Sequence, residues 1–221
     1  MTSMSNQLKE VYAGKTVLVT GHTGFKGSWL SIWLTELGAK VIGYSLDPPT
    51  TPNNFTLAQL DKKIVDIRGD LRDKQSLFAT IETHKPEIIF HLGAQAIVLK
   101  SYASPKETFD INVGGTVNVL EATREFEFIK TVVCITSDKC YKDQDFYWGY
   151  RETDTLGGHD PYSASKGMAE LVIASYRASF FSDKRDIAVA SARAGNVIGG
   201  GDFADYRLVP DALRALLANK R

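Results

Sequence analysis

Cysteine is scarce in this chain: two residues, Cys134 and Cys140, among 221. Their spacing matches no metal or redox motif, and Cys134 sits in an apolar run as a small core residue. Neither a disulfide framework nor a metal site is expected. An excess of one charge is lacking too. The 26 basic and 26 acidic residues balance to a formal net charge of zero, which leaves no electrostatic case for nucleic acid or an anionic membrane as partner. No apolar run approaches bilayer-spanning length. The stretch from Met1 to Lys15 is polar and has no apolar h-region of a signal peptide. A cytoplasmic protein is expected, and no internal repeat or low-complexity segment interrupts it.

What is present is regular alternation. Short β-branched runs at Thr16–Thr20, Val41–Leu46, Ile64–Ile67, Ile88–Leu92, Thr131–Thr136 and Ile187–Ala192 read as strands. Between them lie helical patterns: Gly27–Leu37, a helix capped by Asp73 that ends before Pro86, Pro105–Phe126, Pro161–Phe181 and Leu208–Asn219. Trp29, Ile32, Trp33 and Leu37 are expected to form the apolar face of the first of these. The fold class is α/β, a Rossmann-like doubly wound parallel sheet, with ligands beyond the carboxyl ends of the strands. Residues 1–14 read as an N-terminal polar segment and 15–221 as one dinucleotide-binding domain. The polar, aromatic stretch from Lys142 to His159 exceeds an ordinary connection, which favours a functional loop.

Gly21-His22-Thr23-Gly24-Phe25-Lys26-Gly27 follows the first strand directly and opens a helix. Glycines there allow a tight turn and close backbone approach, and the helix N-terminus offers free N–H groups to a pyrophosphate. The end of the second strand carries Ser45 and, two residues on, Asp47, with no basic residue beside them, so NAD is expected over NADP. Asp47 either binds a ribose or only opens the proline-rich turn.

Tyr162 and Lys166 lie four apart on one helix and share a face. An ammonium near a phenol favours the phenolate, so Lys166 is expected to lower the tyrosine pKa and make Tyr162 the base of a hydride transfer. Ser137-Asp138-Lys139 closes the fifth strand beside this pair. Adjacent side chains there can diverge to reach different atoms of one ligand. An acid and an amine in that place suit elimination of water, with Asp138 as acid, Lys139 as base and Ser137 as hydrogen-bonding partner. A lysine works as a base only with a neutral amine, which a buried position beside Lys166 would favour. A structural Asp-Lys pair with a solvated lysine is the plain alternative.

Together these residues resemble the NAD-dependent nucleotide-sugar 4,6-dehydratases of the extended short-chain dehydrogenase/reductase superfamily, the NAD-dependent epimerase/dehydratase family. The resemblance rests on the glycine loop through Trp29, on Thr136 to Tyr141, and on Trp148 to Glu152. It continues through Leu156 to Gly158, Asp160 to Gly167, and Gly195 to Asp202. Relatives usually place a glutamate where Lys139 stands, and lysine there resembles the group acting on CDP-glucose.

The resemblance implies NAD as cofactor, held by the glycine loop (Gly21, Thr23, Gly24, Phe25, Lys26, Gly27) with Ser45, Asp70, Leu71, Leu92, Gly93, Ala94, Tyr162 and Lys166. It implies conversion of CDP-glucose to CDP-4-dehydro-6-deoxy-D-glucose, a deoxysugar precursor of surface polysaccharides such as lipopolysaccharide O-antigen. Gln95, Asn196 and Arg207 match substrate-contact positions, although Gln95 also reads as a satisfied loop amide and Arg207 as a solvated charge. The substrate-binding region would begin near residue 195. A C-terminal portion that closes over nucleotide and sugar is implied but missing from these 221 residues, and a homo-oligomer, dimer or tetramer, is expected. An epimerase, a ketoreductase or a truncated, non-catalytic NAD-binding module would share the glycine loop.

Overall fold

The computed structural model describes residues 2–181 and 187–219. Helix α1 (Thr2–Tyr12) precedes strand β1 (Thr16–Thr20), helix α2 (Phe25–Glu36) and β2 (Lys40–Ser45). A short α3 (Asn54–Leu57) leads to β3 (Val65–Arg68), α4 (Lys74–His84) and β4 (Ile88–His91). Helices α5 (Val98–Ala103), α6 (Pro105–Phe109) and α7 (Gly115–Glu125) lead into β5 (Thr131–Ile135). Then come α8 (Pro161–Phe180), β6 (Ala188–Ala192) and α9 (Leu208–Leu217). The six strands pair in parallel in the order β3-β2-β1-β4-β5-β6, so strand order reverses between β1 and β4. This is a Rossmann-like doubly wound sheet, whose ligand crevice lies at that reversal.

A strand covered on both faces must be apolar on both, and β1 is: Val17, Leu18 and Val19 are fully buried. Leu18 joins Ile42, Ile89 and Val132 in one core layer, with Leu77, Ile81, Val119, Leu120 and Ile173 from the covering helices. Val17 and Val19 face the other layer with Val41 and Leu34. Asp73 caps α4 as expected, its carboxylate accepting the Ser76 N–H at 3.0 Å.

Two helical expectations need correction. Trp29 and Trp33 of α2 are 47% and 54% exposed, and the face turned to the sheet is Gly27, Ser28, Ser31 and Leu34. Small residues let the helix approach the sheet closely. Their hydroxyls stay satisfied within the helix, Ser28 Oγ donating to Gly24 O and Ser31 Oγ to Gly27 O, each at 2.8 Å. The helix expected over Pro105–Phe126 is instead α6, a π-helical turn at Asp110–Gly114, and α7. The widened turn points Asn112 inward, where Oδ1 accepts the Gln95 N–H at 2.8 Å and Nδ2 donates to Ser165 Oγ at 2.9 Å.

His91, at the end of β4, is buried between two hydroxyls, with Nδ1 2.8 Å from Thr20 Oγ1 and Nε2 3.1 Å from Thr116 Oγ1. Burial, then the Lys166 charge, pushes its pKa from 6.5 down to about 3. The unfolded chain therefore binds a proton that the folded chain refuses, and stability falls as pH drops below 6.5. About 2 kcal/mol should be lost by pH 5 through this group alone. His91→Gln should flatten that part of the acid limb in denaturant unfolding; an unchanged slope would rule His91 out as its source.

Candidate active site

Beyond Ile135 the chain leaves the sheet through Thr136 and Ser137 into a single 3₁₀ turn, Asp138–Cys140. Ser137 caps the turn: its Oγ accepts the Lys139 N–H at 3.2 Å and donates to Asp138 Oδ1 at 3.0 Å. The Asp138 N–H bonds Ala194 O at 3.1 Å, tying the turn to the segment after β6. Ser137 and Cys140 are buried, whereas Asp138 and Lys139 are exposed. The expectation of a buried Lys139 is thus corrected. A 3₁₀ turn whose cap, Ser137, and last residue, Cys140, are anchored in the core turns the two residues between them outward.

Helix α8 carries the second pair. Asp160 caps it, Oδ1 accepting the Ser163 N–H at 2.9 Å, and Pro161 opens it with a preset φ. Tyr162 in the first turn and Lys166 in the second are both buried. Lys166 Nζ lies 6.0 Å from the Tyr162 ring centroid and donates to Ile135 O at 3.5 Å. The Tyr162 N–H, an orphan of the first helical turn, donates to Ser101 Oγ at 3.2 Å.

Burial raises the Tyr162 pKa, and a hydrogen bond with Ser137 pulls it only partly back. The expected lowering by Lys166 is therefore corrected: desolvation comes first and outweighs what lowers the phenol, which is Ser137 and Arg207. Lys166 itself is pushed from 10.5 down to about 8, first by burial and then by the charge of Lys26. Lys26, in the glycine loop, is lowered by burial and by Arg207, with Asp138 opposing. Arg207 also acts on Tyr162, and its Nε is buried without a hydrogen-bond partner. Three cations from distant parts of the chain thus converge on the cleft beside Asp138, and an anionic ligand suits such a place.

The glycine loop is shaped by what it cannot accommodate. Gly21 has φ of 75°, and a Cβ there would stand 2.8 Å from Gly93; one on Gly27 would meet Gly21 O at 2.1 Å. Gly24 caps α2 with no side-chain hydrogen bond, so the first N–H groups of that helix face the crevice. Phe25, Lys26 and Trp29 line a cleft of about 300 Å³ with Val197, Ile198 and Gly199.

Around this loop, Thr23 Oγ1 meets Ser45 Oγ at 2.9 Å and donates to Leu46 O at 2.9 Å. The Gly93 N–H, between Leu92 and Ala94, bonds Thr20 Oγ1 at 3.1 Å. Asp70 is held by Arg72, with Nη2 2.6 Å from Oδ2, and Leu71 packs under Gly93 and Gly115. Asn196 is exposed. Gln95 is turned inward: Nε2 donates to Thr108 Oγ1 at 3.1 Å and Oε1 accepts the Ile97 N–H at 2.7 Å, the arrangement of a satisfied loop amide.

A basic residue does stand at the end of β2, against expectation. Pairing of Ser45 with Arg68 brings a guanidinium from β3 there, where Nη1 donates to Leu46 O at 3.1 Å and Nε lies 3.6 Å from Asp47 Oδ1. Arg68 also binds Asp66 at 2.9 Å, so two carboxylates offset it. The residue is 23 positions away from Ser45 in the chain, and only the sheet register reveals it. Among the described residues no group of three His, Cys, Asp or Glu is placed to hold a metal ion, and no helix is long and apolar enough to cross a membrane.

A parallel sheet, a glycine cradle at its switch point and a Tyr-Lys pair beside the Asp138-Lys139 turn define a dinucleotide-dependent class of protein. Residues 18–196 match the model of the GDP-mannose 4,6 dehydratase family, and the chain belongs to that family. It is 52% identical over 217 residues to a CDP-glucose 4,6-dehydratase of Salmonella typhimurium, covering 96% of this chain and 60% of that protein. A solved dTDP-glucose 4,6-dehydratase double mutant of Streptomyces venezuelae, with NAD bound, superposes with a TM-score of 0.79 at 25% identity, over 92% of this chain and 62% of that one. A UDP-glucose 4-epimerase of Thermus thermophilus in complex with NAD gives 0.74 at 29% identity, over 86% and 58%. The chain therefore spans about 60% of the Salmonella protein's length.

The buried lysine carries a cost to stability with a defined sign. Folding lowers its pKa, so the unfolded chain holds the extra proton between pH 8 and 10.5, and stability rises with pH across that window. Lys166→Met should stabilise the fold at pH 7 by roughly 1–3 kcal/mol, with the gain shrinking towards pH 10. Unfolding at matched pH values tests this, and a variant less stable than the parent at pH 7 contradicts it.

Proposed function

We propose that residues 15–221 form the NAD-binding and catalytic part of a hydro-lyase that converts CDP-glucose to CDP-4-dehydro-6-deoxy-D-glucose. The observation that carries this reading is the position of Ser137. Its hydroxyl donates to Asp138 Oδ1 at 3.0 Å on one side, and on the other Ser137 lowers the pKa of the Tyr162 phenol against the effect of burial. It thereby couples a pair suited to hydride transfer to a pair suited to elimination. The 52% identity to a protein of this activity supports the substrate.

The glycine cradle fits a dinucleotide: its backbone stays open where a Cβ would collide, and uncapped N–H groups at α2 face the place of a pyrophosphate. NAD, when bound, supplies a hydride acceptor that later gives the hydride back. Tyr162 takes the proton of the C4 hydroxyl as the C4 hydride leaves, which makes C4 a ketone and the neighbouring C5 proton acidic. Lys166, protonated below pH of about 8, holds a positive charge beside the phenol. Lys139, exposed at the outer side of the turn, is assigned the removal of the C5 proton. Asp138 protonates the departing C6 hydroxyl, which leaves as water; NAD, if bound, would give its hydride back at C6, and C5 would take a proton from solvent. Substrate, water and hydride balance, with no net redox change. Arg207, with its buried unpartnered Nε, is assigned to the substrate's anionic diphosphate. Gln95 enters as loop support, because both ends of its amide are engaged within the protein.

Incubation with NAD and a panel of nucleotide-hexoses in D₂O tests the reading. A 4-keto-6-deoxy product labelled at C5, formed from the CDP sugar, is expected. Asp138→Asn and Lys139→Met should slow elimination by about 10²–10⁴-fold while C4 oxidation persists. An epimerised product, or oxidation without elimination in the parent chain, would sink the roles given to Asp138 and Lys139.

A further inference from the structure

Glu170 is the third member of a row on α8. It follows Tyr162 and Lys166 at the same four-residue step, is 4% exposed, and has no part in the chemistry above. Its carboxylate is fully engaged. Oε1 accepts Thr136 Oγ1, the residue just before the capping Ser137, and Oε2 accepts Ser191 Oγ and Arg193 Nη2, each at 2.9 Å. Burial alone would raise its pKa, but the bonds from Arg193, Thr136 and Ser191 outweigh burial and keep the carboxyl below its usual range.

Arg193, after β6, carries the contact onward. Nη1 donates to Tyr141 OH at 2.9 Å and to Glu152 O at 3.0 Å, and the guanidinium lies 4.9 Å over the Tyr141 ring. Tyr141 is the residue that ends the 3₁₀ turn, and it stacks on Tyr150 at 4.7 Å. The turn bearing Asp138 and Lys139 is thus gripped on both flanks, at Thr136 and Tyr141, by one buried ion pair. That pair is rooted in the helix bearing Tyr162 and Lys166.

We propose that Glu170 and Arg193 are positioning residues that hold the Asp138–Cys140 turn in fixed register with Tyr162 and Lys166, and so couple elimination to hydride transfer. Two exposed side chains on a single turn have no packing of their own to fix them. A displacement of about 1 Å at reacting groups can cost on the order of a hundredfold in rate. The ion pair does not touch the reacting groups, so its removal should separate the two half-reactions rather than abolish both. The kinetic half of this inference rests on the function proposed above, while the structural half does not.

Two measurements on the full chain, comparing the parent with Glu170→Gln and Arg193→Gln, test it. In amide hydrogen exchange, Asp138 (to Ala194 O, 3.1 Å), Lys142 (to Thr155 O, 2.9 Å) and Gly157 (to Cys140 O, 2.8 Å) should lose protection about tenfold or more, while Ser28 of α2 keeps its own. In single-turnover assays, elimination should slow roughly 10–100-fold against a change of under about threefold in C4 oxidation, so that the reduced cofactor accumulates. Arg193→Lys keeps a cation beside Glu170 but cannot reach Tyr141 and Glu152 together; it should restore folding but not the partition. If Glu170→Gln fails to fold, this conservative variant is read in its place. Equal loss of protection across all these amides, or an unchanged turn, overturns the proposal. A parent chain that dehydrates nothing retires the proposed function and leaves the exchange experiment to decide the register.

Discussion

Backbone meets backbone where β1 ends and β4 ends, and the rest of the molecule is arranged around that contact. A Cβ on Gly21 would stand 2.8 Å from Gly93, and the Gly93 N–H is tied to Thr20 Oγ1 at 3.1 Å. Because nothing larger than hydrogen fits, the turn after β1 stays tight and α2 starts at once, close enough for Gly27 to lie against Gly21. His91 locks the same place from below, bridging Thr20 and Thr116. The crevice at the reversal of strand order is therefore a direct outcome of parallel pairing between β1 and β4.

Electrostatics then divides the crevice into two halves. The half near α8 is buried, and desolvation dominates there: it raises Tyr162, lowers Lys166 to about 8 and lowers His91 to about 3. Lys26 and Arg207 face the same space, so positive charge accumulates where the protein supplies few counter-ions. The other half, at Asp138 and Lys139, is exposed and depends on its backbone anchors for position. Each half needs what the other lacks, and Ser137 lies between them.

The six strands, the glycine loop, the Asp73 cap and the four-residue step from Tyr162 to Lys166 were legible in the sequence because each is a local pattern with a local cause. What was not legible depends on tertiary placement. Apolar periodicity assigned Trp29 and Trp33 to the core, but close approach to the sheet selects Gly27, Ser28 and Ser31, and the tryptophans face outward. Arg68 reaches Asp47 only through the pairing of β2 with β3. The π-helical turn at Asp110–Gly114 leaves no periodic trace beyond the Gly114-Gly115 step, although it aims Asn112 at Gln95 and Ser165. Glu170 had one available signal, its step of four from Lys166, which chemistry-directed motifs pass over.

Asp138 and Lys139 are exposed, whereas Tyr162 and Lys166 are buried, and the two pairs are constrained differently. The chain superposes on both a dehydratase and an epimerase, so the fold itself is common to the two. A buried group is constrained by packing and desolvation, so exchanging Tyr162 or Lys166 changes the stability of the fold. The two residues at the outer side of a 3₁₀ turn are free of that constraint, because neither contributes packing to the sheet. Changing them leaves the packing around the glycine loop and α8 intact. The constraint falls instead on the flanks of the turn. There Thr136 and Tyr141 must keep their hold on α8 and on the segment after β6, whatever side chains the turn presents.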